Sequence, residues 1–508
     1  MNSHTPWRRT LGLVLLLGLL FSASIEAFQN DVQLEDYHAQ FAERRQQFLK
    51  DMQQIAELCE QNSFLSDAER IRGRARQSEL NSLAGNDLPL QILPVLPKNL
   101  PPIQREWRVK LAATEKKFSE DLYRLARFAI RNRQISFGYY LIQLVAFYNP
   151  DHKYAREMLG FVREGDEWVT PFVREMRHRK YVNDPKYGWL PTQHVVRYQN
   201  GERYHDGQWK TAEREQIDRS DFRQAWEIES EHFTIRTNYS LERGVELSRQ
   251  LEGFYRFFMH EYAALFNTEQ QMRELFSASV PNRQKHQINY YKNKDEFVSV
   301  LVTSHPNIGV ANGFYWPKER TAYFFQVDDP DAAASNAETM YHEVTHQLLG
   351  ESSLKQVDVG EEINFWVIEG FACYMESFRG QTAKEPVIGD PEHPRIYWAR
   401  TKALEDGFYV PMRRFTAYGR REFMQVDSET LHAHYSQATG LCHFLLNYED
   451  GRYRNGFLEY LSQIYTPDSR IRLSPRTLEQ ILEVPFESLD EQYLEYLKSL
   501  KAVNSPQG

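Results

Sequence analysis

Between Asp36 and Arg76 the apolar residues Phe41, Phe48, Met52, Ile55 and Leu58 recur at intervals of three, four and seven within a charged, Gln-rich background. That spacing puts them on one face of an amphipathic helix. The rhythm returns from Trp107 to Leu159, where Arg124 to Arg156 resembles a single tetratricopeptide-like hairpin with Asn149-Pro150-Asp151 as its turn. An ordinary helical hairpin fits the same pattern, and one hairpin is no repeat array. Between the two helical stretches, Leu88 to Pro102 carries Pro89, Pro94, Pro97, Pro101 and Pro102. Each proline removes a backbone donor and biases its neighbour toward extended backbone, so this piece reads as a linker or strap. Residues 28–159 are therefore expected to be helical around a Pro-rich linker at 88–102.

From 160 to 226 the pattern shortens. Gly160 to Thr170 contains Gly-Asp-Glu-Trp168-Val-Thr170, and Arg203 to Thr211 contains Asp-Gly-Gln-Trp209-Lys-Thr211. Each is a Gly turn followed by Trp-x-Thr, a small β unit whose indole covers a turn. A structural role is the first expectation, and a binding platform of exposed Trp and Tyr the second.

A further domain is expected over 227–500. His232 to Thr237 alternates like a strand, Leu241 to Phe266 has helical periodicity, and Gln287–Tyr291, Gly309–Trp316 and Thr321–Gln326 are further strand candidates. After Ala334 the pattern is almost wholly helical. Strands followed by helices predict an α+β fold, with a small, mainly antiparallel sheet beside a helical half.

With 508 residues, 41% of them hydrophobic, the chain can bury the cores of two or three domains. A net charge of −9 spread over both signs gives no electrostatic footprint for nucleic acid or an anionic membrane. Arg8 and Arg9 precede an apolar run from Leu11 to Phe21 and small residues up to Ala27, the pattern of a secretory signal peptide at 1–27, with cleavage near Ala27. The run is shorter than the roughly 20 residues a spanning helix needs. The mature protein is thus expected outside the cytoplasm, periplasmic or secreted, without an integral membrane segment. Cys59, Cys373 and Cys442 are too few for a disulfide framework. Cys373 with Cys442 is the one pair considered, and buried free thiols are the main expectation.

The sharpest chemistry is His342-Glu343-Val344-Thr345-His346. Ser335 with Glu338 reads as a capping box, Gly350 as a helix end, and Ala337, Tyr341, Val344 and Leu348 as an apolar stripe, which places the motif within one helix. Histidines four apart share a helix face and can reach one zinc ion, while Glu343 is placed to take a proton from zinc-bound water. Two ordinary histidines on a helix produce the same five letters, so a third ligand is needed. Glu369 stands in the apolar run Phe365 to Met375, where an unpaired carboxylate is costly to bury and a metal would compensate it. Gly370 beside it costs about 1 kcal/mol relative to Ala in a helix, which implies that another backbone passes close.

His342 to Gly350, taken with Trp366 to Glu376, resembles the zinc aminopeptidases and their relatives in the gluzincin, or peptidase MA, clan. The resemblance covers about 227 to 464 and implies a gluzincin-like catalytic domain. It also implies that His342, His346 and Glu369 bind Zn2+ and that Glu343 is the general base. His434-Tyr435-Ser436-Gln437-Ala438-Thr439-Gly440 is similar to the helix presenting the clan's transition-state tyrosine, so Tyr435 becomes the oxyanion donor, with a packed core tyrosine as the alternative. Glu376, two turns beyond Glu369, is placed to orient a ligand imidazole. His432 and His434 are expected to be cap or surface residues.

Three departures qualify the resemblance. There are 22 residues between His346 and Glu369, so the loop Glu351 to Asn364 is enlarged, and Glu361 and Glu362 are rival ligands. Ile368 replaces the usual Asn. The clan's aminopeptidases recognise a free amino terminus with Gly-Ala-Met-Glu-Asn, whereas this chain has Gly309-Val-Ala-Asn312-Gly313-Phe314-Tyr315, without that glutamate. The function expected is an exported zinc metallopeptidase, not a typical aminopeptidase, acting on a peptide or protein through zinc-activated water. The alternative is an inactive peptidase-fold scaffold that binds peptides or assembles with partners.

Overall fold

The computed structural model describes residues 37–500 apart from 79–87, 89–90, 92–95, 98, 133, 267–283, 353–358, 381–385, 467 and 473. The expected signal peptide at 1–27 lies outside these residues. No helix among the described residues is long and apolar enough to cross a membrane.

Four long helices build the amino-terminal layer: residues 37–61, Leu65–Arg76, Pro102–Arg131 and Ile135–Tyr148. Phe41, Phe48, Met52 and Ile55 are buried there, as the spacing predicted, against Phe118, Leu122, Leu141 and Tyr148. The hairpin is made differently from the expectation. Asn149-Pro150-Asp151 leads only into the short helix Lys153–Met158, while the main return falls between the helices that end at Arg131 and begin at Ile135. Contacts of Ile130 with Gly138 and of Phe118 with Tyr148 show those two long helices running antiparallel. The described part of the Pro-rich strap touches the next region through a bridge between Gln91 and Glu167.

Three β-hairpins follow, where the sequence pattern had marked two: β1 (Val162–Glu164) with β2 (Glu167–Val169), β3 (Tyr181–Asp184) with β4 (Gly188–Pro191), and β5 (Glu202–His205) with β6 (Gln208–Thr211). The added one carries Gly188-Trp189-Leu190-Pro191-Thr192, in which Pro191 interrupts Trp-x-Thr. Thr170 and Thr211 cap the helices that follow by accepting from Val173 and Arg214 amides. Trp168 is buried and donates to Asp151 Oδ1 at 3.2 Å, whereas Trp209 is half-buried, with the Arg197 guanidinium 3.7 Å from its ring centre. The first unit matches the structural role, while the second leaves Trp209 half-buried beside the exposed Tyr204.

The carboxy-terminal region contains one five-stranded sheet in the order β10 (Phe314–Trp316), β11 (Thr321–Phe325), β9 (His286–Tyr291), β8 (Phe233–Thr237), β7 (Trp226–Glu229). The coarse class is mixed α and β, as expected, but the sheet is not mainly antiparallel. β10–β11 and β7–β8 are antiparallel, whereas β11–β9 and β9–β8 are parallel. The reason lies in the connections: helix Leu241–Glu261 joins β8 to β9, and a helical crossover returns the chain in the same direction.

Most of the helices cover one side of this sheet, while the short helix Lys294–Leu301 packs Phe297 and Leu301 against Tyr291, Tyr323 and Phe325 on the other. The motif helix Pro330–Gly350 buries Met340, Tyr341, Val344 and Leu348 with Ile288, Tyr290 and Phe324 of the sheet. It begins before Ser335, so Ser335 and Glu338 are interior positions and form no capping box. Next come the glutamate helix Phe365–Met375, the helix Pro394–Leu404 and the tyrosine helix Ser428–Asn447. The helices Arg454–Tyr465 and Phe486–Ser499 close the core behind them.

Candidate metal centre

His342 and His346 lie one turn apart on the motif helix, and their Nε2 atoms are 3.1 Å apart. Glu369 comes from the neighbouring glutamate helix, whose other residues are all buried. Its Oε2 is 3.5 Å from His342 Nε2 and 3.9 Å from His346 Nε2. Three donor atoms from two helices thus converge on one point, and the trio is one of three side-chain groups among the described residues that could hold a metal ion. Burial raises the Glu369 carboxyl, but the His342 bond and the charges of His346, His342 and Arg420 outweigh it and hold it below the usual range. Burial pushes His346 down toward the neutral imidazole that ligation requires.

Gly370 explains how the helices approach. A Cβ there would stand 2.6 Å from the carbonyl oxygen of Ala438 on the tyrosine helix. The close backbone passage inferred from a glycine within an apolar helix is therefore present.

Glu343 points to the sheet side of the cluster, where the Tyr315 amide on β10 donates to its Oε2 at 2.8 Å. β10 is the outer strand. Of the two edge candidates, Gly309–Trp316 supplies that edge only through Phe314–Trp316, since Ile308–Val310 forms a 3-10 turn instead of the expected strand. Thr321–Gln326 does not, because β11 is paired on both sides. Gly313 permits the approach, since a Cβ there would meet Phe324 and Thr339 at 2.8–2.9 Å. Tyr435 lies within the tyrosine helix, part-buried, its hydroxyl donating to Met424 Sδ at 3.5 Å, and burial first, then the Glu369 carboxylate, push its phenol well above the ordinary range. It stays protonated and can donate.

Behind His342, Glu376 accepts from Nδ1 at 2.9 Å. Nδ1 is consequently the donor nitrogen, and the neutral ring carries its lone pair on Nε2, facing the cluster. Burial lowers His342, but Cys373, Glu369 and Glu376 outweigh it and hold the imidazole well above its ordinary value, so ligation would displace a proton from Nε2. Burial would raise Glu376, but the bond from His342 and the charges of His342 and Arg395 hold it down at about 2. Arg395 donates to Glu376 Oε2 through Nε at 3.1 Å and lies over the Tyr435 ring at 5.6 Å. Sequence reasoning missed Arg395, which stands 19 residues beyond Glu376 on another helix and has no periodic relation to the motif. Glu338, expected as a capping-box partner, instead accepts from Arg379 at 2.7 Å one turn before His342.

No protein-family model matches the chain, and no curated protein matches it.

The rival ligands lie elsewhere. Glu361 and Glu362 are exposed, and Glu361 Oε1 accepts from Arg420 at 2.8 Å. His432 is exposed, but His434 is no surface or cap residue: it is buried and bonds the Phe423 carbonyl at 2.9 Å through Nδ1. Asp427 is the cap of that helix. All three cysteines are buried and free, so Cys373 and Cys442 form no bridge.

Proposed function

We propose that this protein is an exported zinc metallopeptidase with a gluzincin-like catalytic domain. The observation that supports it best is the convergence of His342, His346 and Glu369 donors at 3.1–3.9 Å, with Glu343 beside them. Donors bound at about 2.0–2.2 Å to one tetrahedral zinc stand roughly 3.3–3.6 Å apart, so the trio fits that ion, and three protein ligands leave a position for water. Zinc bound there supplies a Lewis acid for the scissile carbonyl and lowers the pKa of its water.

The protein's own groups do the remaining work. Glu343, oriented by the Tyr315 amide at one oxygen, takes the proton of the attacking water with the other and passes it to the leaving amine. Tyr435 donates its phenolic proton toward the developing oxyanion. An extended substrate pairs with the outer strand β10. Gly309 to Tyr315 carries no acid to capture a free amino terminus, so aminopeptidase specificity is not part of this reading.

The test is metal analysis of the mature protein with digestion of diverse unfolded proteins and peptides. About one zinc per chain is expected, and Glu343→Gln should keep zinc and fold but abolish hydrolysis. A zinc-loaded wild type that cleaves nothing, with a Glu343→Gln variant that leaves the cellular role intact, would replace this reading by a binding scaffold. Export is checked by amino-terminal mass spectrometry: the mature chain should begin after Ser22 and before about residue 30.

A further inference from the structure

On the far side of His342 from the metal cluster, carboxylates and basic side chains are packed together. Glu338 lies one turn before His342, Glu376 accepts from its Nδ1, and His393 stands at the N-cap position of the helix Pro394–Leu404 without a side-chain cap bond. Donor atoms of Glu338, Glu376 and His393 lie within 4.8 Å of one another. By composition that trio suits a second cation, but its charge balance does not. Arg379 donates to Glu338 Oε1 at 2.7 Å, and Arg395 donates to Glu376 Oε2 at 3.1 Å, so each carboxylate already has its counter-charge. A divalent ion would sit against two guanidinium groups in a poorly solvated place.

The arrangement instead centres on Arg395. Its Nε serves Glu376 Oε2 at 3.1 Å, and its second nitrogen reaches Oε1 at 3.5 Å. Its guanidinium lies against Tyr435, 5.6 Å from the ring centre, which anchors it between the C-terminal cap of the glutamate helix, Glu376, and the helix that carries Tyr435. Glu376 is only 10% exposed, so almost no water competes for its oxygens. A carboxylate that accepts from a ligand imidazole fixes the tautomer and strengthens the ligand, provided that it stays ionised and does not rotate. A planar fork does both at once, which a lysine ammonium does less well.

We propose that Arg395 is a positioning residue of the metal centre, which holds Glu376 in the orientation that presents His342 Nε2 to zinc. The inference rests on the zinc site of the proposed function, but not on what that site cleaves.

The test is a double-mutant cycle on zinc affinity in the full mature chain, measured by competition with a chromogenic chelator. Arg395→Gln and Glu376→Gln should each weaken zinc binding about 10- to 100-fold. The double variant should bind no more weakly than Glu376→Gln alone, because both substitutions break one path. Factors that multiply in the double variant would overturn the proposal. Arg395→Lys keeps the charge and should bind zinc more tightly than Arg395→Gln. Equal loss in the two would assign the effect to packing and also overturn it. Absence of peptide cleavage by the wild type would sink the peptidase reading alone, because the zinc affinities of the cycle are measured without substrate.

Discussion

Gly370 lies so close to Ala438 that a Cβ at position 370 would stand 2.6 Å from the carbonyl oxygen of Ala438. This contact sets the separation of the helices that carry Glu369 and Tyr435, three residues from Ala438. Substituting Ala inside a helix normally gains about 1 kcal/mol over Gly, while forced overpacking costs about 1–3 kcal/mol. Backbone cannot move aside as a flexible side chain can, so the second effect wins. Gly370→Ala should lower the urea midpoint of unfolding, and an unchanged or raised midpoint would show that the two helices are not held at contact distance.

Tyr435→Phe removes a single oxygen from a part-buried ring. Loss of one preorganised oxyanion donor costs about 10²–10³ in kcat, with little change in KM when the contact is made only in the transition state. Zinc content must be measured on the same sample, because metal loss lowers kcat too. A zinc-replete Phe variant with wild-type kcat would return Tyr435 to the role of a packed core residue.

The choice of third ligand has its own check. Glu369→Gln should lose most of the bound zinc, whereas Glu361→Gln and Glu362→Gln, which alter exposed side chains, should keep full stoichiometry. The reverse pattern in elemental analysis would move the ligand to the loop.

His443 makes stability depend on pH. Its Nε2 meets the Gly389 carbonyl at 2.9 Å and its Nδ1 the Tyr496 hydroxyl at 2.7 Å. The carbonyl can only accept, so Nε2 carries a proton, and in the neutral ring Nδ1 accepts from the Tyr496 hydroxyl. Burial, opposed by the bond to Gly389, lowers the group from 6.5 to about 4. The unfolded chain therefore binds a proton between those values that the folded chain refuses. Stability is intact above about pH 6.5 and falls as pH drops toward 4, by about 3 kcal/mol at most from this group. Thermal unfolding followed from pH 7 to 4 should show a shallower acid loss in His443→Gln. Parallel curves for the two proteins would remove His443 as a cause.

Local geometry explains what could be read in advance. Residues four apart share a helix face whatever surrounds them, so His342 and His346 were legible as a pair, and a glycine inside an apolar helix announced a neighbour. A carboxylate within the buried run of Phe365 to Met375 had to meet a compensating partner, which singled out Glu369. Amphipathic spacing marked the helices and most strands for the same reason, since burial of one face is imposed residue by residue.

Tertiary structure decided what depends on partners distant in sequence. Strand direction in the β11–β9–β8 part of the sheet follows from helical connections, and an isolated strand pattern is the same in a parallel or an antiparallel pair. The placing of the main helical return between Arg131 and Ile135, the third hairpin with its Trp-x-Pro-Thr, and the burial of His434 among Phe415, Tyr418 and Phe423 were settled by packing. Arg395 reaches Glu376 from another helix, 19 residues on. Such a contact leaves no periodicity in the chain, because an ion pair requires only that two side chains meet in space, and it is the fold that brings them together.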